Sequence, residues 1–421
     1  MYQLSTLPNG LRVVTHDMPG CMSASIGLWV GVGGRYEDDK HKGAAHFLEH
    51  IVFKGSRHYS CEQIKEDIEG VGGTLNAFTS EEQTCFYAKI PSRHLEHTFS
   101  VLSDMALFPT ISTPAVTKEK TVIVEEIKMY HDLPQYYVLE LLDQMVWPNH
   151  PLGKFLAGSI ESVAGLKSKD LKSFHRRFYH PGNVVVSAAG KVEHEALVQW
   201  AKDKLRIENY EGCVDFEQVF DIQAKPRVRF FQKNIEQMHM ALGMPGVDEN
   251  DPDRYALNLL NVILGGNMSS RLFVEVREKK GLAYSISSSM KCFHDTGLFM
   301  VRAGVDNQKI VQAMELILKE LDRVRRRSVT EGEFQRGKDY LLGQLQLALE
   351  DTMDHMLWIG ESVIAKNKTK TIEEVLDTYN KISIADLDAV AKRILDPAKY
   401  NLAVVGPITE EQKEQLSTLL F

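Results

Sequence analysis

The sequence of 421 residues contains no run of about eighteen consecutive apolar residues, so nothing in it reads as a membrane span. Its first residues, Met1-Tyr2-Gln3-Leu4-Ser5, lack the basic start and apolar run of a secretory signal and the arginines of a transit peptide. Leu11-Arg12-Val13-Val14 already reads as strand. Cysteine is scarce: Cys21, Cys61, Cys85, Cys213 and Cys292 are odd in number, scattered and without C-x-x-C spacing. They read as reduced thiols and argue against a disulfide framework or a cysteine metal cluster. Positive charge is also short, since 49 basic against 57 acidic residues leave a net charge of −8. That balance disfavours nonspecific nucleic-acid binding and suits basic partners.

What is present is the composition of a globular protein, 43% apolar and 25% charged. The length exceeds one ordinary core and predicts two domains of roughly 200 residues. The halves also echo one another. A period-2 strand, Ala24, Ile26, Leu28 and Val30 alternating with Ser23, Ser25, Gly27 and Trp29, is matched by Gln237–Met244. Thr84–Lys89 with its following helix is matched by Gly297–Arg302, about 213 positions later, and Asn183–Gly190 by Asn401–Gly406. A duplicated unit of strands and helices is the simplest account. We expect an α+β protein of two homologous domains, residues 1–215 and 216–421, joined through the polar stretch Glu208–Asp215.

The densest chemical signal is His46-Phe47-Leu48-Glu49-His50. Side chains four apart share a helix face, so His46 and His50 can offer two imidazoles to one metal, with Glu49 one residue off that axis. The competing reading is a partly buried helix whose histidines only satisfy hydrogen bonds. A catalytic zinc usually takes three protein ligands, and a third candidate lies in Thr117–Lys128, which reads as a helix. There Glu119 and Glu126 stand seven apart on one stripe with Val122 and Ile123 between them, and carboxylates on an apolar stripe need a partner. Advancing the motif by 213 gives Leu259, Val262 and Ile263, so the second half carries apolar residues where the first has potential ligands.

With these residues the chain resembles the pitrilysin (insulinase-type) zinc metallopeptidases of the H-x-x-E-H class, particularly the branch of the mitochondrial processing peptidase β subunit and its bacterial relatives. That family places a third ligand about seventy-six residues after the second histidine, which is Glu126. The resemblance implies one Zn2+ per chain on His46, His50 and Glu126, attack by zinc-bound water with Glu49 as general base, and Glu119 as accessory acid. Glu125, about 100° away on the helix, is set aside. Gly72–Ser80 resembles the family's active-site edge strand, where Asn76 and Ala77 would hold a peptide by main-chain hydrogen bonds. Phe53 matches a pocket residue beyond the scissile bond. The segment Ser269–Tyr284 is similar to the one whose Arg and Tyr reach the substrate backbone, here Arg277 and Tyr284.

The same resemblance implies two domains, each a largely antiparallel sheet with packed helices, facing each other across a chamber that admits peptides or unfolded segments. It also implies a homodimer or a heterodimer with an inactive homologue. With no targeting segment, a bacterial cytoplasmic protein is expected. One departure concerns specificity: the processing subunit carries acidic residues ten and fourteen after the zinc glutamate, where this chain has Tyr136 and Glu140. The alternative from another functional class is a non-catalytic structural subunit of the same fold.

Overall fold

The computed structural model describes residues 2–205, 214–220, 223–327 and 329–421. Most of the polar stretch expected to join the halves, with Cys213, lies outside them; the four described cysteines are free. The chain forms two compact units that are not contiguous in sequence. One comprises Met1–Ile127, Phe155–Glu217 and Leu345–Ile372, the other Lys128–Lys154, Gln218–Gln344 and Glu373–Phe421.

The first unit holds a six-stranded sheet built from β1 (Tyr2–Thr6), β2 (Arg12–Asp17), β3 (Ser23–Val30), β4 (Thr74–Thr79), β5 (Thr84–Pro91) and β6 (Val184–Gly190). Its order is β1-β2-β6-β3-β5-β4, antiparallel except between β2 and β6. The second unit holds β7 (Arg227–Gln232), β8 (Gln237–Pro245), β9 (Ala283–Cys292), β10 (Gly297–Asp306) and β11 (Asn401–Gly406) in the order β7-β11-β8-β10-β9. Without β1 the two orders coincide. The single parallel pair, β7 with β11, recurs at the matching place, as a duplicated unit requires. The architecture is α+β, two similar units of largely antiparallel sheet and packed helices.

In the first unit one sheet face packs the main core of Ile26, Leu28, Phe86 and Ala88 against helices that include Ala44–Ile51 and Leu95–Leu107. Alternation in β3 suggests a polar opposite face, yet β3 is buried almost throughout. The helix Thr352–Lys366 covers that face, packing Ile359 and Val363 on Val14, Trp29 and Val185. Small residues make the contact possible: a Cβ on Gly27 would fall 2.5 Å from Met356 Sδ, and one on Gly360 2.1 Å from Trp29 Nε1. In the second unit the helix Pro134–Val146 covers the corresponding face, with Leu141 and Leu142 on Ala241, Met300 and Val405. Each sheet is therefore buried on both faces by helices from distant parts of the sequence. The positions matching the motif, Leu259, Val262 and Ile263, are buried in the helix Arg254–Gly265.

Candidate metal centre

The helix Ala44–Ile51 sinks Phe47, Leu48 and Ile51 into the core and leaves His46, Glu49 and His50 on its half-buried face. Its start is unusual. Gly43 precedes it with φ of 92°, and a Cβ there would meet the Ala157 carbonyl oxygen at 2.6 Å. The buried Glu37 accepts from the first-turn amides, Gly43 N at 3.0 Å and Ala45 N at 2.7 Å, satisfying two donors the helix cannot pair itself. Burial pushes the Glu37 carboxyl up despite Lys42, whose Nζ stands 3.2 Å away, and despite these two amides.

The facing helix, Thr113–Asp132, buries Val116, Glu119, Ile123 and Ile127. Val122 does not share that stripe, because 47% of it is exposed; it lies one residue before the buried Ile123, about 100° round the helix. Glu119 and Glu126 are brought to the histidines as expected. His46 Nε2 lies 3.7 Å from Glu126 Oε1 and His50 Nε2 3.3 Å from Glu126 Oε2. One donor atom from each of His46, His50 and Glu126 lies within 4.8 Å of the others, and no other group of three His, Cys, Asp or Glu converges this way among the described residues. Glu125 is exposed.

Glu119 stands behind this trio. Its Oε1 is 3.1 Å from His50 Nδ1 and its Oε2 2.8 Å from Lys54 Nζ. A carboxylate accepts only, so Nδ1 donates its hydrogen to Glu119 and Nε2 donates to Glu126; a metal bound between them would take the place of the Nε2 proton. Burial, then the neighbouring His50, lowers His46 to about 4, so at neutral pH it offers a neutral imidazole. Burial also pulls His50 down, but its hydrogen bonds to Glu126 and Glu119 outweigh this and the net direction is up. Two imidazoles and a carboxylate with carboxylate charge to spare are the donor set for zinc. The residues fit the ion.

Glu49 accepts a hydrogen bond of 2.6 Å from Thr79 Oγ1. Burial raises its carboxyl above the ordinary range, and the Thr79 bond opposes that. Thr79 ends β4, the free edge of the sheet, which also carries Asn76 and Ala77. The Asn76 side chain accepts from Ala77 N at 2.8 Å, so that amide is held by its neighbour's side chain. Phe53 is part-buried against the core, its ring 6.5 Å from that of Phe86. In the second unit Arg277 lies in a π-helical turn, Phe273–Lys279, its guanidinium 4.6 Å from the Phe273 ring and 5.7 Å from that of Tyr284, which is 73% exposed. Sequence reasoning misses Glu37, Lys54 and Thr79. Thr79 alone had a signal, because period-2 counting from Leu75 and Ala77 puts it on the face that meets the motif helix.

The His-His-Glu donor set, with a buried fourth carboxylate beside it, is carried on a duplicated α+β frame. Residues 12–159 match the family model described as insulinase (peptidase family M16), and residues 165–341 match the one described as the peptidase M16 inactive domain. The chain is 36% identical over 418 residues to an uncharacterized zinc protease of Streptomyces coelicolor, covering 98% of this chain and 91% of that one. It is 34% identical to the uncharacterized zinc protease YmxG of Bacillus subtilis, over 97% and 98% of the two chains. Among solved structures it superposes on a protease from Helicobacter pylori with a TM-score of 0.92 at 22% identity, covering 96% and 99%, a likeness of fold. The chain belongs to the M16 peptidase family.

Proposed function

We propose that this protein is a zinc endopeptidase that hydrolyses peptides or extended unfolded segments in the bacterial cytoplasm, with one zinc per chain on His46, His50 and Glu126. The observation that carries the reading is the convergence of those three donors with Glu49 beside them and Glu119 behind His50. A zinc ion held there supplies Lewis-acid polarisation of a carbonyl and a nucleophile at neutral pH. Glu49, raised by burial, is suited to take a proton from the attacking water and deliver it to the leaving amine. Thr79 holds one of its oxygens and leaves the other for the proton. Glu119 fixes the ring of His50. The edge of β4 is suited to bind substrate as an added strand, with Asn76 yielding the Ala77 amide to it. Phe53 contributes to the wall beyond the scissile bond, and Arg277 with Tyr284 contacts the substrate backbone. Pairing with a second copy or an inactive homologue belongs to the same reading.

Hydrolysis of an unstructured, internally quenched peptide by the wild type and Glu49→Gln tests it. The variant is expected to keep its zinc and lose at least about two orders of magnitude in kcat, the usual contribution of a positioned base. A variant of normal rate would remove Glu49 from that role. Tyr284→Phe is expected to slow turnover several-fold with zinc retained, and an unaltered kcat/KM would take the hydroxyl out of the site. The rival reading, a non-catalytic subunit, gains from the description of residues 165–341 as an inactive domain, but the metal donors lie in the other model's span. It predicts a wild type that binds zinc weakly and cleaves nothing.

A further inference from the structure

The sheet of the first unit has a second feature at the end of β4 remote from Glu49. A cavity of about 670 Å³ opens there, bounded by Gly72 and Thr74 at the start of the edge strand and by Met22 and Pro91. Lys89, Arg93 and Lys191 also line it, and no Asp or Glu does, a local reversal of sign on a chain of net charge −8. Lys89 sits opposite Thr74 in the β4–β5 register. Its ammonium is shared with Asp351, 2.6 Å away and outside the lining. Arg93 Nε donates to His94 Nε2 at 3.0 Å, and the Lys191 backbone amide donates to Ser23 O at 3.0 Å, which pins that residue at the rim. Arg93 and Lys191 are both exposed. The metal-centre motif and its partners use none of these residues.

We propose that this cavity is a cationic subsite that takes a carboxylate of a peptide lying along β4. Geometry links it to the metal centre. Thr79 holds Glu49 at one end of the strand, and Thr74 enters the cavity five residues earlier, roughly 17 Å at the rise of an extended chain. An extended peptide paired to β4 with its scissile bond beside Glu49 therefore places a residue about five positions away in the cavity. Its carboxylate, whether an Asp or Glu side chain or a chain terminus, meets Arg93 and Lys191, while Met22 and Pro91 pack its aliphatic part. The enzyme then favours substrates acidic at that distance. The proposal rests on the reading of β4 as the strand that receives substrate.

Binding tests it apart from turnover. Fluorescence anisotropy on zinc-loaded Glu49→Gln protein compares a labelled twelve-residue peptide ending in three Glu with its Gln counterpart, each with a free or an amidated C-terminus. The Glu peptide is expected to bind roughly five-fold more tightly, the size that one or two partly exposed ion pairs give, with the gain shrinking in high salt. That advantage is expected to vanish in Arg93→Glu/Lys191→Glu, whose exposed positions leave the fold intact, as circular dichroism checks. If amidation alone removes the gain, the ligand is the terminal carboxylate; if it does not, the ligand is the side chain. An equal preference in the double variant, or no preference in the parent, overturns the subsite. Hydrolysis of a six-residue peptide, too short to reach the cavity, separates the two readings. Its failure in the wild type with charge preference intact sinks the peptidase and spares the subsite, and its success without charge preference does the reverse.

Discussion

At the scale of single residues the site divides into three converging donors, His46, His50 and Glu126, and the groups that brace them. Helix periodicity makes His46 and His50 legible as a pair and puts Glu119 and Glu126 on one stripe, while only the resemblance to the family, through its spacing, singles out Glu126. What holds them was less legible. Glu119 turned out to brace His50 and pair with Lys54, a role that depends on two helices meeting and not on the spacing within either. Alternation in β4 puts Thr79 on the face that meets the motif helix, but its choice of Glu49, thirty positions away in sequence, is a matter of packing. The bracing role predicts that Glu119→Gln weakens zinc affinity about 10- to 100-fold, the usual effect of losing a carboxylate behind a histidine ligand. Competition with a calibrated chelator measures it, and an unchanged zinc dissociation constant would leave Glu119 a packing residue.

The elements place these residues through their ends. The motif helix begins at a glycine in the left-handed region, squeezed against Ala157, and receives its capping bonds from Glu37, six residues before Gly43. A side chain at Gly43 faces both left-handed strain and a clash, so Gly43→Ala is expected to cost about 2–4 kcal/mol. Because the displaced element carries His46, zinc content should fall along with the denaturant midpoint. A midpoint within experimental error of the wild type would show that the helix start tolerates a Cβ. Strand positions were readable from alternation, as for β3, but which faces are covered was not. The polar-looking face of β3 is not solvated, and Gly27 on the strand and Gly360 on the helix let the two pack although they lie more than three hundred residues apart.

In the whole molecule, duplication was visible as a repeat of strand patterns near an offset of 213, and the matching sheet orders bear it out. The exchange of helices was invisible, because Pro134–Val146 and Thr352–Lys366 have ordinary amphipathic sequences and only packing decides which sheet each covers. The fold also carries a pH dependence in its first unit. Burial lowers His175 from 6.5 to about 4, against the opposing hydrogen bond from its Nε2 to the Ala106 carbonyl. A histidine with a depressed folded pKa contributes stability that is complete above its unfolded value and lost as pH falls from about 6.5 towards 4. His175→Gln, which can still donate to Ala106, should therefore lose less stability than the wild type between pH 7 and 4.5, by about 2 kcal/mol. Parallel losses in urea titrations of the two proteins would discount His175.

Metal stoichiometry decides whether two histidines and one particular glutamate make a zinc site. Mass-spectrometric zinc analysis of the dialysed wild type, Glu126→Ala and Glu125→Ala should give one zinc per chain in the first and third and almost none in the second. A wild type without zinc, or a Glu126→Ala protein that retains it, would rule out this ligand set.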